Sequence, residues 1–209
     1  MRKDKLDVRE YIESSAISIR EEMKEDLENE NIEGFFDKFQ GDKRTLSFIS
    51  YYNKTVLNKE RIQFSKFTYQ WALHLSKDFY AYFDKNYDKL VKEIKKDKNI
   101  EAFFKKHCVH KRKEGSFCSK LFHTILPSEF PPVDNPIKGR FNLQNEEFIT
   151  SVLIIKRGYE LFIKENPRLI NLIRATLLKD KFSYLRVNEL SDIRILDMYY
   201  WFKENREKK

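Results

Sequence analysis

Residues 61–96, RIQFSKFTYQWALHLSKDFYAYFDKNYDKLVKEIKK, carry an apolar or aromatic residue at every third or fourth position. The average step is 3.75 residues, close to the turn of an α-helix, which is about 3.6 residues. The stripe consists of Phe64, Phe67, Trp71, Leu75, Phe79, Phe83, Tyr87, Leu90 and Ile94. It predicts one long helix over about 61–96 whose apolar face is buried in a core. Off the stripe, Tyr80 and Tyr82 are the aromatic residues that would remain available to stack on bases.

Helical patterns continue on both sides of this stretch. The spacing of apolar residues and the N-cap residues before them predict further helices over 6–30, 43–57, 99–107, 117–126, 144–165, 167–178 and 191–206. Lys181 to Val187 would be a short strand or an extended connector. The sequence therefore predicts an all-α protein of about eight helices. We expect a single domain over 1–209, with two packed lobes, 1–98 and 99–209, as a possible division.

The composition excludes several classes of protein. Apolar residues make up 41% of the chain and aromatic residues 15%, which is ample for a packed core and excludes global disorder. No apolar run approaches the roughly 18 residues that a membrane span needs. The N-terminal residues lack the apolar segment of a signal peptide, and two cysteines do not make a disulfide framework. We therefore expect a cytoplasmic protein.

Charge is distributed unevenly along the chain. Residues 1–40 hold 7 Lys/Arg against 12 Asp/Glu, whereas residues 41–209 hold 34 against 21. The densest basic stretch is 85–120, with 12 Lys/Arg against 5 acidic residues. A basic body with an acidic arm favours a polyanionic partner, and nucleic acid is the commonest one. A lysine-rich solvated surface without a partner is the alternative.

A proline-rich stretch, Pro127-Ser128-Glu129-Phe130-Pro131-Pro132-Val133-Asp134-Asn135-Pro136, interrupts the helices and holds four of the five prolines. No helix can pass through it, so it forms a rigid loop that carries a carboxylate, Asp134. Two interpretations of Asp134 remain open. It is either part of a functional site together with Lys138 and Arg140, or the N-cap of a short helix that begins near Pro136.

The run from Phe117 to His123, FCSKLFH, followed by Pro127 and by FPPVDN at 130–135, resembles a stretch of uncharacterised bacterial helical proteins. More distantly, residues of about 100–145 are similar to the second half of the helix-hairpin-helix DNA glycosylase core. The resemblance implies a glycosylase-like helical fold, in which Cys118 takes the place of a small helix residue. It also implies that Asp134 is the catalytic carboxylate that stabilises the sugar cation as the base leaves.

The hairpin of that superfamily holds a DNA phosphate with a Gly-x-Gly turn, where this chain has Lys111-Arg112-Lys113-Glu114-Gly115-Ser116. The lyase lysine of bifunctional members would fall near Ser116, so the resemblance implies a monofunctional enzyme if the protein is active. The DNA-binding face would be centred on the basic loop and extend to the segment after the prolines. Its predicted residues are Lys105, Lys106, Lys111, Arg112, Lys113, Ser116, Lys120, Lys138 and Arg140.

Metal and cofactor sites are not predicted. Cysteine and histidine are zinc ligands, and His107, Cys108, His110, Cys118 and His123 lie within 17 residues. Their spacing includes neither Cys-x-x-Cys nor His-x-x-x-His, and phosphate-binding glycine motifs are absent from the sequence. The functional alternative to a DNA glycosylase is a non-enzymatic helical protein of a mobile-element or defence locus. Such a protein would bind a protein partner through its acidic N-terminal helix.

Overall fold

The computed structural model describes residues 7–32, 43–108 and 112–206, in which there are eleven α-helices and no strand. The helices are α1 Val8–Glu28, α2 Lys43–Tyr52, α3 Phe64–Gln70, α4 Lys77–Lys85, α5 Tyr87–Asp97, α6 Ile100–His107, α7 Arg112–Ile125, α8 Asn135–Arg140, α9 Phe148–Glu165, α10 Pro167–Leu177 and α11 Asp192–Arg206. A π-helical turn, Asn53–Leu57, extends α2, and two 3₁₀ turns, Asp180–Leu185 and Val187–Glu189, precede α11. The all-α prediction is confirmed. Helices exceed the predicted eight, and the segment predicted as a strand or connector is made of 3₁₀ turns.

The single helix predicted over 61–96 is wrong, because the structure divides this stretch into α3, α4 and α5. Helix α3 ends where Ala72 takes a left-handed conformation, with φ of 51°, and the amide of Leu73 donates to the carbonyl of Thr68 at 2.7 Å. This 6→1 hydrogen bond closes the C-terminal end of α3. Glycine usually fills the left-handed position that Ala72 occupies here. Ser76 then caps α4 by accepting from a backbone amide, and Asn86 separates α4 from α5.

The aromatic stripe is nevertheless core, as its spacing predicts. Phe117 of α7 is fully buried, and the rings of Phe64, Phe67, Phe79 and Phe83 surround it with centroid distances of 4.6 to 5.8 Å. Edge and tilted ring contacts of this kind add to the free energy of burial. The three short helices α3, α4 and α5 therefore bury one continuous aromatic face against α7. The apolar period of the sequence continues across both breaks between these helices.

The acidic N-terminal helix is docked on the basic body. Helix α1 packs along α9, and Glu13 forms a two-pronged ion pair with Arg157 at 2.8 Å. Asp26 pairs with Arg140 and, at 3.1 Å, with Lys203. Part of the negative charge of the N-terminal 40 residues is thus neutralised within the molecule. No helix in the described ranges is long and apolar enough to cross a membrane.

The α1–α9 contact depends on Gly158. A Cβ atom at this position would lie 2.8 Å from Cγ2 of Ile19 and 3.4 Å from the carbonyl oxygen of Ala16. We expect Gly158→Ala to lower the free energy of unfolding by about 1–3 kcal/mol, because overpacking outweighs the better helix propensity of alanine. Gly139→Ala is the control, since its nearest contact would be Gln144 at 3.8 Å, and it should not destabilise. Urea unfolding curves measure both variants, and equal stabilities would contradict the packing argument.

Candidate catalytic and nucleic-acid-binding sites

Side chains of α7 hold the proline-rich loop in place. The Ser119 hydroxyl donates to the carbonyl of Pro131 at 3.0 Å and accepts from the amide of Val133 at 2.7 Å. His123 lies 2.7 Å through Nδ1 from the carbonyl of Phe130, so Nδ1 carries the hydrogen and Nε2 accepts from the Tyr52 hydroxyl at 2.9 Å. Burial lowers the pKa of His123 to about 3, which keeps the imidazole neutral. The loop that leads to Asp134 is therefore fixed by buried hydrogen bonds.

Asp134 itself is half-buried at the end of this loop, and it caps α8. Its Oδ1 accepts a hydrogen bond from the amide of Ile137 at 3.2 Å, so the cap interpretation of the sequence is confirmed. The second carboxylate oxygen forms no hydrogen bond with any residue in the described ranges. One oxygen thus fixes the orientation of the carboxylate, and the other remains available to a ligand.

Two buried charged groups, Lys120 and Asp197, interact electrostatically with Asp134. Lys120 is 6% exposed and donates to the carbonyl of Trp71 at 3.2 Å. Burial lowers the pKa of its ammonium group, and the charges of Asp134 and Asp197 oppose that shift. Burial raises the pKa of Asp197 to about 7, although Arg194 is its ion-pair partner. Groups with displaced pKa values that meet in one place are typical of functional sites.

Tyr159 of α9 adds an unpaired hydroxyl to this group. Its side chain is fully buried, and its oxygen has no hydrogen-bond partner among the described residues. Burial, followed by the charges of Asp197 and Asp134, raises its pKa well above the ordinary tyrosine value. An orphaned buried hydroxyl costs free energy, so this site is polar and incompletely satisfied. We define Lys120, Asp134, Tyr159, Arg194 and Asp197 as the buried charge cluster.

Most residues of the buried charge cluster could not be recognised from the sequence as members of one site. Asp134 is a predicted site residue, whereas the i, i+3 spacing of Arg194 and Asp197 is typical of a structural ion pair within one helix. Tyr159 lies in the most apolar helix and carries no local signal. The separation in sequence is the reason, since α7, α9 and α11 meet only after the chain has folded.

Several predicted nucleic-acid contacts need correction. Lys120 and Lys138 are buried, and the Lys138 ammonium donates to the carbonyl of Glu146 at 2.7 Å, so neither can be a surface contact in this conformation. Arg140 is half-buried in ion pairs with Asp26 and Glu22 of α1. The aliphatic stem of a lysine can follow an apolar surface into the interior, which its position in the sequence does not reveal.

The remaining predicted contacts fall into two groups. Lys105 and Lys106 are exposed, and they pair with Glu101 at 2.6 Å and with Glu93 at 2.9 Å. Ser116 is half-buried on α7. Lys111 and the side chains of Arg112 and Lys113 lie outside the described part of the structure.

A different basic surface stands out on α5. Lys89, Lys92 and Lys96 are exposed at i, i+3 and i+7, on the side of the helix opposite the buried residues Leu90 and Ile94. None of the three lysines forms an ion pair with a described residue. We call Lys89, Lys92 and Lys96 the lysine face. In the sequence, these three lysines recur at helical spacing among the residues of the apolar stripe. Such a pattern is typical of a charged helix face exposed to solvent.

The cysteines and histidines that were considered as zinc ligands make other contacts in the described residues. The thiols of Cys108 and Cys118 lie 3.4 Å apart in the core, and His123 holds the proline-rich loop. His107 is bonded to Tyr82 and Glu93. Within the described ranges no group of three or more His, Cys, Asp and Glu side chains is placed to hold a metal ion, and His110 lies outside them.

Comparisons of the chain with protein-family models, with curated proteins and with solved structures give no match. The glycosylase resemblance of residues 100–145 therefore stays a prediction. Function is inferred here from the buried charge cluster and the lysine face.

Proposed function

We propose that the protein binds nucleic acid, DNA rather than RNA, through the lysine face. We also propose that it releases a base from that nucleic acid, with Asp134 as the catalytic carboxylate. The binding half rests on three exposed, unpaired lysines aligned on one helix. Their spacing of three and four residues places successive ammonium groups about one helical turn, roughly 5 Å, apart. An unneutralised row of cations of this kind attracts a phosphate backbone and releases its counterions.

The catalytic half is carried by one observation: Asp134 is oriented by its cap hydrogen bond while its second oxygen is unengaged. When a base departs from its sugar, positive charge develops on the sugar ring. A carboxylate fixed beforehand stabilises that charge without reorganising. Burial, with a contribution from the charge of Asp134, raises the pKa of Asp197 to about 7, whereas its ion-pair partner Arg194 lowers it.

A non-enzymatic helical protein is the second candidate, and the cap hydrogen bond itself favours it. A carboxylate that only caps α8 would have a purely structural role. A protein partner on α1 would meet Glu10 and Glu21, which remain exposed on that helix. Glu13 and Asp26 are already engaged by basic residues of the body.

Salt dependence tests the binding half. If the lysine face contacts three phosphates, replacement of Lys89, Lys92 and Lys96 by Ala should reduce the slope of log K against log salt by about 2.7. Fluorescence anisotropy with a labelled DNA duplex at several salt concentrations measures this slope for both proteins.

A second triple variant, Lys164→Ala, Arg168→Ala and Lys179→Ala, is the matched control. These residues are exposed and lie on or after α9 and α10, so the variant removes the same net charge from another part of the chain. Its slope should stay close to that of the wild type. Equal losses in both variants, or no DNA binding by the wild type at low salt, would contradict the proposed surface.

A further inference from the structure

Tyr82, His107 and Glu93 form one hydrogen-bonded chain across three successive helices, α4, α6 and α5. The Tyr82 hydroxyl lies 2.8 Å from Nδ1 of His107, and Nε2 of His107 lies 3.1 and 3.2 Å from the two oxygens of Glu93. The His107 side chain is 4% exposed, whereas Tyr82 is 42% exposed. The imidazole is therefore held rigidly inside, and the tyrosine at the end of the chain lies at the surface.

The partners of His107 determine which atom carries each proton. A carboxylate only accepts hydrogen bonds, so Nε2 of His107 must carry a hydrogen that it donates to Glu93. In a neutral imidazole the other nitrogen, Nδ1, is then an acceptor, and the Tyr82 hydroxyl donates to it. A hydroxyl, a base that accepts its proton and a carboxylate that orients the base make up an activated nucleophile.

Glu93 is suited to the orienting position. Burial raises its pKa, but hydrogen bonds from Lys106 and His107 outweigh that effect, so the pKa lies below the ordinary value. Glu93 is thus a carboxylate at neutral pH and can stabilise a protonated His107. The same negative charge is what a base needs beside it when it removes a proton from tyrosine.

Exposed lysines lie near Glu93 and Tyr82 along their helices. Lys89 and Lys96 lie four residues before and three residues after Glu93 on α5, and both are exposed. Lys85, also exposed, lies one turn after Tyr82 on α4. Lysine ammonium groups bind phosphate oxygens as point charges. Exposed lysines thus lie within about one helical turn of Glu93 on α5 and of Tyr82 on α4.

We propose that Tyr82 is a nucleophile toward phosphodiesters, activated by His107 and oriented through Glu93. The phenolic oxygen of Tyr82 attacks phosphorus, and the bond between phosphorus and one ester oxygen breaks. His107 takes the proton of Tyr82 and delivers it to the departing oxygen. The products are a tyrosyl phosphodiester and a free hydroxyl group, so the step balances without a co-reactant. A nucleic-acid substrate would rest on the proposed lysine-face binding, but the reaction needs neither that binding nor Asp134.

Bis(p-nitrophenyl) phosphate tests the proposal with the whole chain. Attack by Tyr82 should release up to one equivalent of p-nitrophenolate per protein in a burst. It should also leave one nitrophenyl phosphoryl group on the peptide that contains Tyr82, as detected by mass spectrometry. Tyr82→Phe should abolish both signals. His107→Gln and Glu93→Gln should slow the burst, the former by about a hundredfold or more, which is the usual range for loss of a general base.

Tyr69→Phe is the matched control, because Tyr69 is 78% exposed but has no hydrogen-bond partner among the described residues. It should leave the burst and the adduct unchanged. DNA binding and formation of the Tyr82 adduct are measured separately on the wild-type protein, so either proposal can fail while the other stands. Absence of an adduct on Tyr82, or an unchanged burst in Tyr82→Phe, would overturn the proposal.

Discussion

Asp134→Asn should lower the rate of base release by a hundredfold or more while leaving the fold and the DNA affinity nearly unchanged. Loss of a fixed charge that faces a developing cation costs several kcal/mol of barrier. Asparagine is nearly isosteric and can still accept the hydrogen bond from the amide of Ile137, so loss of stability should be about 1 kcal/mol or less. Chromatographic detection of the free base gives the rate, and urea unfolding and anisotropy give stability and affinity.

Asp7→Asn is the matched control for that experiment. Asp7 caps α1 by accepting from the amide of Arg9 at 3.1 Å, so the two variants change the same kind of cap. It should alter neither base release nor DNA affinity. A small loss of stability in both variants, with no effect of either on base release, would assign Asp134 a structural role only.

Phe117→Ala should lower the free energy of unfolding by about 3–5 kcal/mol, the usual cost of removing a large buried aromatic ring. Phe117 is fully buried, and its ring contacts those of Phe64, Phe67, Phe79 and Phe83. The variant leaves a cavity where α3, α4 and α7 meet. Circular dichroism during urea titration measures the change.

Tyr69→Ala supplies the comparison from the same aromatic-rich stretch. Tyr69 is 78% exposed, so its removal should change the free energy of unfolding by no more than about 0.5 kcal/mol. A loss below 1 kcal/mol for Phe117→Ala, or similar losses for both variants, would contradict the arrangement of the aromatic core.

The class of fold could be predicted from the sequence because apolar periodicity survives in each short helix. Phe64, Phe83 and Ile94 are buried as their spacing requires, although they lie on three helices. The break at Ala72 could not be predicted, because Ala72 takes a left-handed conformation without a glycine to mark it. Next to this break, the buried ammonium group of Lys120 donates a hydrogen bond to the carbonyl of Trp71 at 3.2 Å.

The candidate sites were less predictable than the fold. The turn chemistry around Asp134 and Pro136 is local, so the cap could be foreseen from residues 134–137. The burial of Lys138 could not be predicted, because its ammonium group reaches the carbonyl of Glu146 only once the segment between α8 and α9 is folded. The group formed by Tyr82 and His107 likewise depends on how α4 and α6 pack, which residue spacing alone does not specify.

Alkali-induced strand cleavage tests the central claim most directly. End-labelled DNA duplexes, each with one damaged or modified base, are incubated with wild type or with Asp134→Asn and then heated in alkali, which breaks the strand at abasic sites. The proposed function predicts a break at the position of one such base with the wild type, and at least a hundredfold slower appearance of that break with the variant. Equal cleavage by both proteins, or no cleavage by the wild type across the panel of bases, would contradict it.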